Sequence, residues 1–235
     1  MIPKPMQILA IGPHPDDIEF GCAAILIKEI KKGNRVKMLV MSRGEAGTAG
    51  TPEIREQEAR EAAKRIGAEI EFVDFGGDCH MEYTLANRLR IAVEIRKLKP
   101  AIVLAPYTSE NQHPDHVVVA KLTRDAARLA RYGGVEELKG SPVHKIDNLF
   151  FYNITQHMGR PPDIVIDISD VVDEWEAAMR CHATQTAQKS YLDLQKTAAR
   201  LLGLTIGVDY AMGLFVNDPV RVAHLSDITL SSRSF

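Results

Sequence analysis

The sequence predicts an α/β fold: a single domain with a Rossmann-like, mostly parallel sheet flanked by helices. Two observations carry this. Four short apolar runs alternate with helical patterns over residues 1–135, the signature of βαβ units. The punctuation between them also fits, because the helical segments stop at glycine or before proline. With right-handed crossovers, the usual order places strands 1 and 4 side by side.

The elements follow in order. Ile8 to Ile11 is an apolar run before Gly12-Pro13 and reads as a buried strand. Phe20 to Lys32 carries Ala23, Ala24, Ile27 and Ile30 at helical spacing and stops at Gly33. Val36 to Met41 is a second strand. A loop with Gly44, Gly47 and Gly50 leads to Thr51-Pro52, a cap followed by proline at the first helical position, and a helix to Ile66. Ile70 to Phe75 is a third strand, Thr84 to Leu98 a helix ending before Pro100, Ala101 to Ala105 a fourth strand, and His116 to Arg131 another helix. Beyond residue 135 the pattern loosens. Leu149 to Tyr152 and Ile164 to Ile168 read as strands, Val171 to Cys181 and Leu192 to Leu202 as helices, and Arg221 to Leu225 as a late strand. There is no internal repeat and no Pro/Ser-rich linker. One domain over 1–235 is expected, with a βα core in 1–135 and a cleft-completing part in 136–235.

Composition narrows the function. Lys+Arg 29 against Asp+Glu 31 gives a net charge of −2, with no cationic surplus to neutralise nucleic-acid phosphates or an anionic membrane. Met1 to Gln7 is too polar for a signal peptide, and no apolar run is long enough to span a bilayer. Cys22, Cys79 and Cys181 are odd in number and widely spaced, which predicts a reducing cytoplasm. The eight histidines are the compositional hint of chemistry.

Two motifs carry that chemistry. Strand 1 ends in His14-Pro15-Asp16-Asp17-Ile18-Glu19, and strand 4 runs into His113-Pro114-Asp115-His116. Each alone has a plain explanation, a carboxylate capping a helix or complementing its dipole. Together they put two loops, with three histidines and three aspartates besides Glu19, beyond the carboxyl ends of neighbouring strands, where open α/β sheets bind ligands. That donor set suits a catalytic metal with one open position, and the prolines stiffen both loops.

These motifs resemble the PIG-L/LmbE-like zinc N-deacetylases, including the bacillithiol-pathway enzymes acting on GlcNAc-malate. Arg43-Gly44-Glu45, Ile54 to Ala59, Ala105-Pro106, Phe151-Tyr152 and Gly207 to Ala211 extend the likeness from Ile8 to about Phe215. The resemblance implies removal of an acetyl group from an N-acetylated amino-sugar conjugate, with Zn2+ or another divalent cation as cofactor and a homo-oligomer, trimer or hexamer. It implies His14, Asp17 and His116 as metal ligands and Asp16 as the general base. It implies His113 as stabiliser of the developing oxyanion, with Asp115 orienting its ring and favouring its protonated form. Arg55 is the candidate for substrate recognition, since guanidinium forks suit planar anions; an exposed helical partner of Glu58 is the plain alternative.

Two departures stand out. Tyr210-Ala211-Met212-Gly213-Leu214 has Met212 where relatives commonly have glutamate, and Met179 to Gln185 has its own pattern, with His182 read as a surface helix histidine. Cys79-His80 lacks a surrounding nucleophile motif, and the glycine loop 44–50 is not a dinucleotide cradle. His144, His157 and His224 have no partners in sequence and are read as surface or core histidines. Two competing readings share these features: a metal-dependent hydrolase of another amide or ester, and a nucleotide-binding module whose two loops are only caps.

Overall fold

Strand β1 (Gln7–Gly12) explains the architecture. Ile8 and Ala10 face one core, while Leu9 and Ile11 face another, and all four are at most 1% exposed. A strand buried on both faces lies in the middle of a sheet covered by two helical layers. The computed structural model describes residues 4–109, 113–154, 160–187 and 190–228. Its seven strands form one sheet in the order β3-β2-β1-β4-β5-β7-β6, where β2 is Arg35–Val40, β3 Glu69–Phe72, β4 Ile102–Pro106, β5 Asn148–Tyr152, β6 Ile164–Asp167 and β7 Ala211–Val216.

Strands β3, β2, β1, β4 and β5 are parallel; β7 pairs antiparallel with both β5 and β6. The expected neighbours β1 and β4 are in register, Ile8 opposite Ile102 and Ala10 opposite Leu104. Helices α4 (Leu85–Leu98) and α5 (Pro114–Arg131) cover one face. Helices α2 (Ala23–Lys31), α3 (Pro52–Ile66) and α6 (Val172–Met179) cover the other. Thr51 and Thr84 cap α3 and α4 through their side-chain oxygens, on Ile54 N–H and Asn87 N–H. None of the helices among the described residues is long and apolar enough to cross a membrane.

Two expectations are corrected. The helix read from Phe20 to Lys32 is two pieces, α1 (Asp17–Gly21) and α2, broken at Cys22, whose φ is −151°. Residues 221–225 form no strand: they are exposed and have no sheet partner, so their alternation has no core to serve. The last strand is β7 instead. Gly213 disguises it as a turn, but a Cβ there would lie 2.6 Å from the Pro162 ring, so the strand needs glycine to lie this close. Met212, in the family-divergent segment, is 8% exposed on β7 and lines an apolar cleft away from the two histidine motifs.

Two buried bonds tie the C-terminal half beneath the β1 loop. Tyr152 Oη donates to Ile11 O at 2.7 Å, and Trp175 Nε1–H donates to Glu19 O at 2.8 Å.

Candidate metal centre

The sheet order reverses at β1, with β2 on one side and β4 on the other, so the loops after these strands bound one crevice. The loop after β1 is fixed first. His14 N–H donates to Asp17 Oδ2 at 2.9 Å, and Phe20 N–H donates to Asp16 O at 2.9 Å. Between them Asp16 adopts φ 104°, a left-handed conformation that costs a residue with a Cβ on the order of 1–3 kcal/mol. The turn directs Asp17 inward, where it is 3% exposed.

Asp17 then sits between two rings. Its Oδ2 is 3.0 Å from His14 Nδ1, and its Oδ1 is 3.2 Å from His116 Nε2. His116 comes from the first turn of α5, which the loop after β4 delivers to the same place. One donor atom from each of His14, Asp17 and His116 lies within 4.8 Å of the others, and all three residues are buried. Burial favours an uncharged Asp17, but the His116 and His14 charges outweigh it and hold the carboxyl far below the usual range. Burial likewise opposes a charge on His14; the Asp17 charge, with the ring's hydrogen bonds to the Asp115, Asp17 and Asp78 carboxylates, reverses this and raises it well above its ordinary value. Two imidazoles and a carboxylate held together this way fit a divalent cation, and crowded carboxylates around buried His14 supply the negative charge such an ion balances.

The other nitrogen of His14 has its own supports. Nε2 lies 3.1 Å from Asp78 Oδ1 and 3.2 Å from Asp115 Oδ2. Carboxylates behind a ligating imidazole fix its tautomer and orientation. Asp115 is therefore closer to His14 than to His113, whose Nδ1 is 3.8 Å away; His113 Nδ1 instead accepts from the Asp115 N–H at 3.2 Å. Burial and the neighbouring His14 charge lower the His113 pKa, the opposite of the expected bias toward its protonated form. Asp16 is displaced the other way. Burial and the Asp17 charge push its carboxyl up to about 7, against the pull of Arg55, His182 and His14.

Arg55 is 4% exposed, not the exposed partner of Glu58 that was the plain alternative. Its guanidinium donates to Gly44 O at 3.1 Å and Pro15 O at 2.9 Å and lies 3.5 Å from Asp16 Oδ2. It thus clamps the loops after β1 and β2 together. Gly44 has φ +72°, and a Cβ there would fall 2.0 Å from an Arg55 terminal nitrogen. Glu58 instead holds Thr184, through N–H at 2.9 Å and Oγ1 at 2.6 Å.

His182 corrects the surface reading. It is wholly buried, with Nε2 3.0 Å from Glu19 Oε1 in a pair that is close but not aligned as a hydrogen bond. Glu19 carries the loop after β1 and His182 precedes α7 (Ala183–Thr186), so partnership across 163 positions had no local signal. Asp78 was also missed, although Gly76-Gly77-Asp78 follows strand β3 at the same sheet edge. Glu45 Oε2 anchors that loop by accepting the Asp78 N–H at 3.0 Å. Of the remaining histidines, His144 Nε2 meets Pro100 O at 2.7 Å, His224 caps a short turn, and His157 lies outside the described residues.

The crevice holds about 310 Å3, enough for a small ligand, and Asp16, Arg55, His113 and Gln185 line it. A larger cleft of about 370 Å3, beside Trp175 and Met212, has no carboxylate, histidine or cysteine among the described residues that line it. Chemistry therefore belongs to the smaller one.

A Rossmann-like sheet with a buried His/Asp/His donor set at its switch point defines an α/β protein with a site that fits a divalent metal. Residues 9–127 match the PIG-L family, described as GlcNAc-PI de-N-acetylase, and the chain belongs to that family. It is 30% identical over 227 residues to the diacetylchitobiose deacetylase of Thermococcus kodakarensis, covering 88% of this chain and 82% of that one. It is 26% identical over 232 residues to the 4-oxalmesaconate hydratase of Pseudomonas putida, covering 88% and 87%. The crystal structure of a conserved protein from Thermus thermophilus superimposes with a TM-score of 0.82 at 32% identity, covering 93% of this chain and 97% of that one.

Proposed function

We propose that this chain is a zinc-dependent hydrolase that removes the N-acetyl group from an N-acetylated amino-sugar conjugate, with residues 1–235 acting as one deacetylase domain. The carrying observation is Asp16. It is a carboxylate in the crevice beside the donor set yet outside it, with its pKa raised to about 7, where a base accepts and returns a proton at neutral pH.

His14, Asp17 and His116 would hold the cation, which supplies the Lewis acidity that polarises an amide carbonyl and lets water ionise near neutral pH. Asp16 takes the proton of the attacking water on its carboxylate, and Arg55 keeps that carboxylate aimed by joining its loop to the Gly44 loop. With His113 Nδ1 accepting the Asp115 N–H, the ring proton lies on Nε2, which donates to the oxyanion as the carbonyl becomes tetrahedral. Asp16, then protonated, returns its proton to the departing sugar amine. Asp115 and Asp78 hold His14. The crevice volume supports a compact sugar conjugate such as GlcNAc-malate, and the Arg55 side of the crevice would meet its hydroxyl or carboxylate groups.

Three free thiols support a cytoplasmic location, and exposed Leu201 and Leu204 on helix α8 (Tyr191–Ile206) support a homo-oligomer. An acetate-release screen over GlcNAc-malate, GlcNAc-inositol and chitooligosaccharides, run with metal-depleted and zinc-reconstituted protein, tests the reading. Cation-dependent acetate release from at least one amide is expected. Hydration of 4-oxalmesaconate with no acetate from any amide would overturn it in favour of the chemistry named for the Pseudomonas relative.

A further inference from the structure

Beside the donor set already described, three more donor atoms converge from two loops. Cys79 Sγ lies 3.4 Å from Asp78 Oδ1 and 3.5 Å from His113 Nε2, and His113 Nε2 lies 3.5 Å from Asp78 Oδ1. They form a nearly equilateral triangle. A tetrahedral cation with bonds of about 2.3 Å to sulfur and about 2.0–2.1 Å to nitrogen or oxygen spaces its ligands roughly 3.3–3.6 Å apart. The side chains thus already stand at the spacing of one face of a metal tetrahedron, and Asp78, Cys79 and His113 all line the crevice.

The backbone holds this face in place. Cys79 has φ 66°, its N–H is fixed on Asp115 Oδ2 at 2.8 Å, and the Asp78 N–H is fixed on Glu45. Asp78 is 6% exposed, whereas Cys79 is exposed, so a cation can enter from solvent.

We propose that Cys79, Asp78 and His113 form a second, inhibitory cation site for a thiophilic divalent ion such as Zn2+ or Cd2+. Binding replaces the S–H bond with a sulfur–metal bond and releases the thiol proton to solvent. It also needs the Nε2 lone pair of His113, so the ring proton moves to Nδ1, which gives up the bond from the Asp115 N–H and turns toward the Asp115 carboxylate 3.8 Å away. The same nitrogen therefore serves either the cation or the oxyanion, and an occupied second site removes the donor that the proposed deacetylation uses. Asp78 Oδ1 joins the two sites, since it also supports His14 Nε2. The inhibitory consequence rests on the proposed function; the binding itself does not.

Cadmium binding followed by equilibrium dialysis and by the ultraviolet thiolate-to-metal charge-transfer band tests this without an activity assay. Two cations per chain are expected for the native sequence, with the band growing during uptake of the second. Cys79→Ser should bind one cation and show no band; Asp78→Asn should weaken the second cation about tenfold or more. His116→Ala should keep the band while losing the other cation, which separates the two sites. Iodoacetamide labelling of Cys79 should slow at least tenfold under excess cation. A single cation in the native protein, a band that survives Cys79→Ser, or labelling indifferent to cation would each overturn the proposal. Retained binding of the first cation and an unchanged circular dichroism spectrum verify that Cys79→Ser is folded.

Discussion

At the scale of the residue, neighbouring aspartates are given different tasks by one turn of backbone. Asp16 at φ 104° faces the crevice and titrates near neutrality, while Asp17 is drawn between two imidazoles and stays ionised. Asp16→Asn should therefore retain a stoichiometric cation while losing roughly 10²–10⁴-fold in turnover, and His14→Ala should lose the cation itself. Metal analysis beside acetate release checks both; near-normal turnover in Asp16→Asn would remove its role as base. The sequence made this pair legible because both motifs sit at strand ends, where α/β sheets bind ligands. Asp78 and the Glu19–His182 pair were not legible: their meaning depends on partners brought close by the fold, and a lone carboxylate or histidine in a sequence has no such partner.

Elements were read best where local chemistry sets their ends. Thr51-Pro52 and Thr84 start helices α3 and α4 as expected, and Gly67 at φ 85° ends the first of them. Boundaries failed where tertiary packing decides, at Cys22 and at Gly213. Helix α5 shows such packing at its end. Arg96 of α4 is 3% exposed, and its guanidinium donates to Ala130 O at 2.9 Å, Tyr132 O at 2.7 Å, Leu138 O at 2.6 Å and Ser141 O at 2.8 Å. It has no carboxylate partner among the described residues; its charge meets the negative end of the α5 dipole, and it shares the Ala130 and Leu138 carbonyls with the His144 and Ser141 N–H groups. Arg96→Ala should cost roughly 3 kcal/mol in urea denaturation, with Arg96→Lys recovering only part, because the Tyr132 and Ser141 carbonyls lose their donor and the packing of a buried side chain goes with it. A loss under about 0.5 kcal/mol would show that water replaces the guanidinium.

Across the whole molecule, the candidate cation ligands come from the first half of the chain, while Tyr152 and Trp175 brace the loop after β1 from the second. Cation binding should therefore stabilise the entire fold. At a free concentration about 100-fold above Kd the gain is about 2.7 kcal/mol, or some 5–10 °C in Tm for a domain of this size. Chelation should remove that increment in calorimetry, and His116→Ala should abolish the difference between treated and untreated protein. The alternation of the first half announced the parallel core; the mixed edge had no comparable signal, because an antiparallel return leaves no fixed period between strands.

That mixed edge sets an order on synthesis. Strand β7 is the last of the described strands but stands between β5 and β6, which do not pair with each other in the sheet. Until Val216 has left the ribosome, β5 keeps an open edge and β6 has no partner, so the nascent chain presents one open sheet edge and one unpaired apolar strand to other chains. Chains stopped before Ala211 should accumulate as aggregates bound by holding chaperones, whereas chains stopped after Asn217 should be soluble, as a sedimentation assay of translated fragments would read. The final strand works as the wedge stone of an arch, and the ribosome must deliver it before the span can stand.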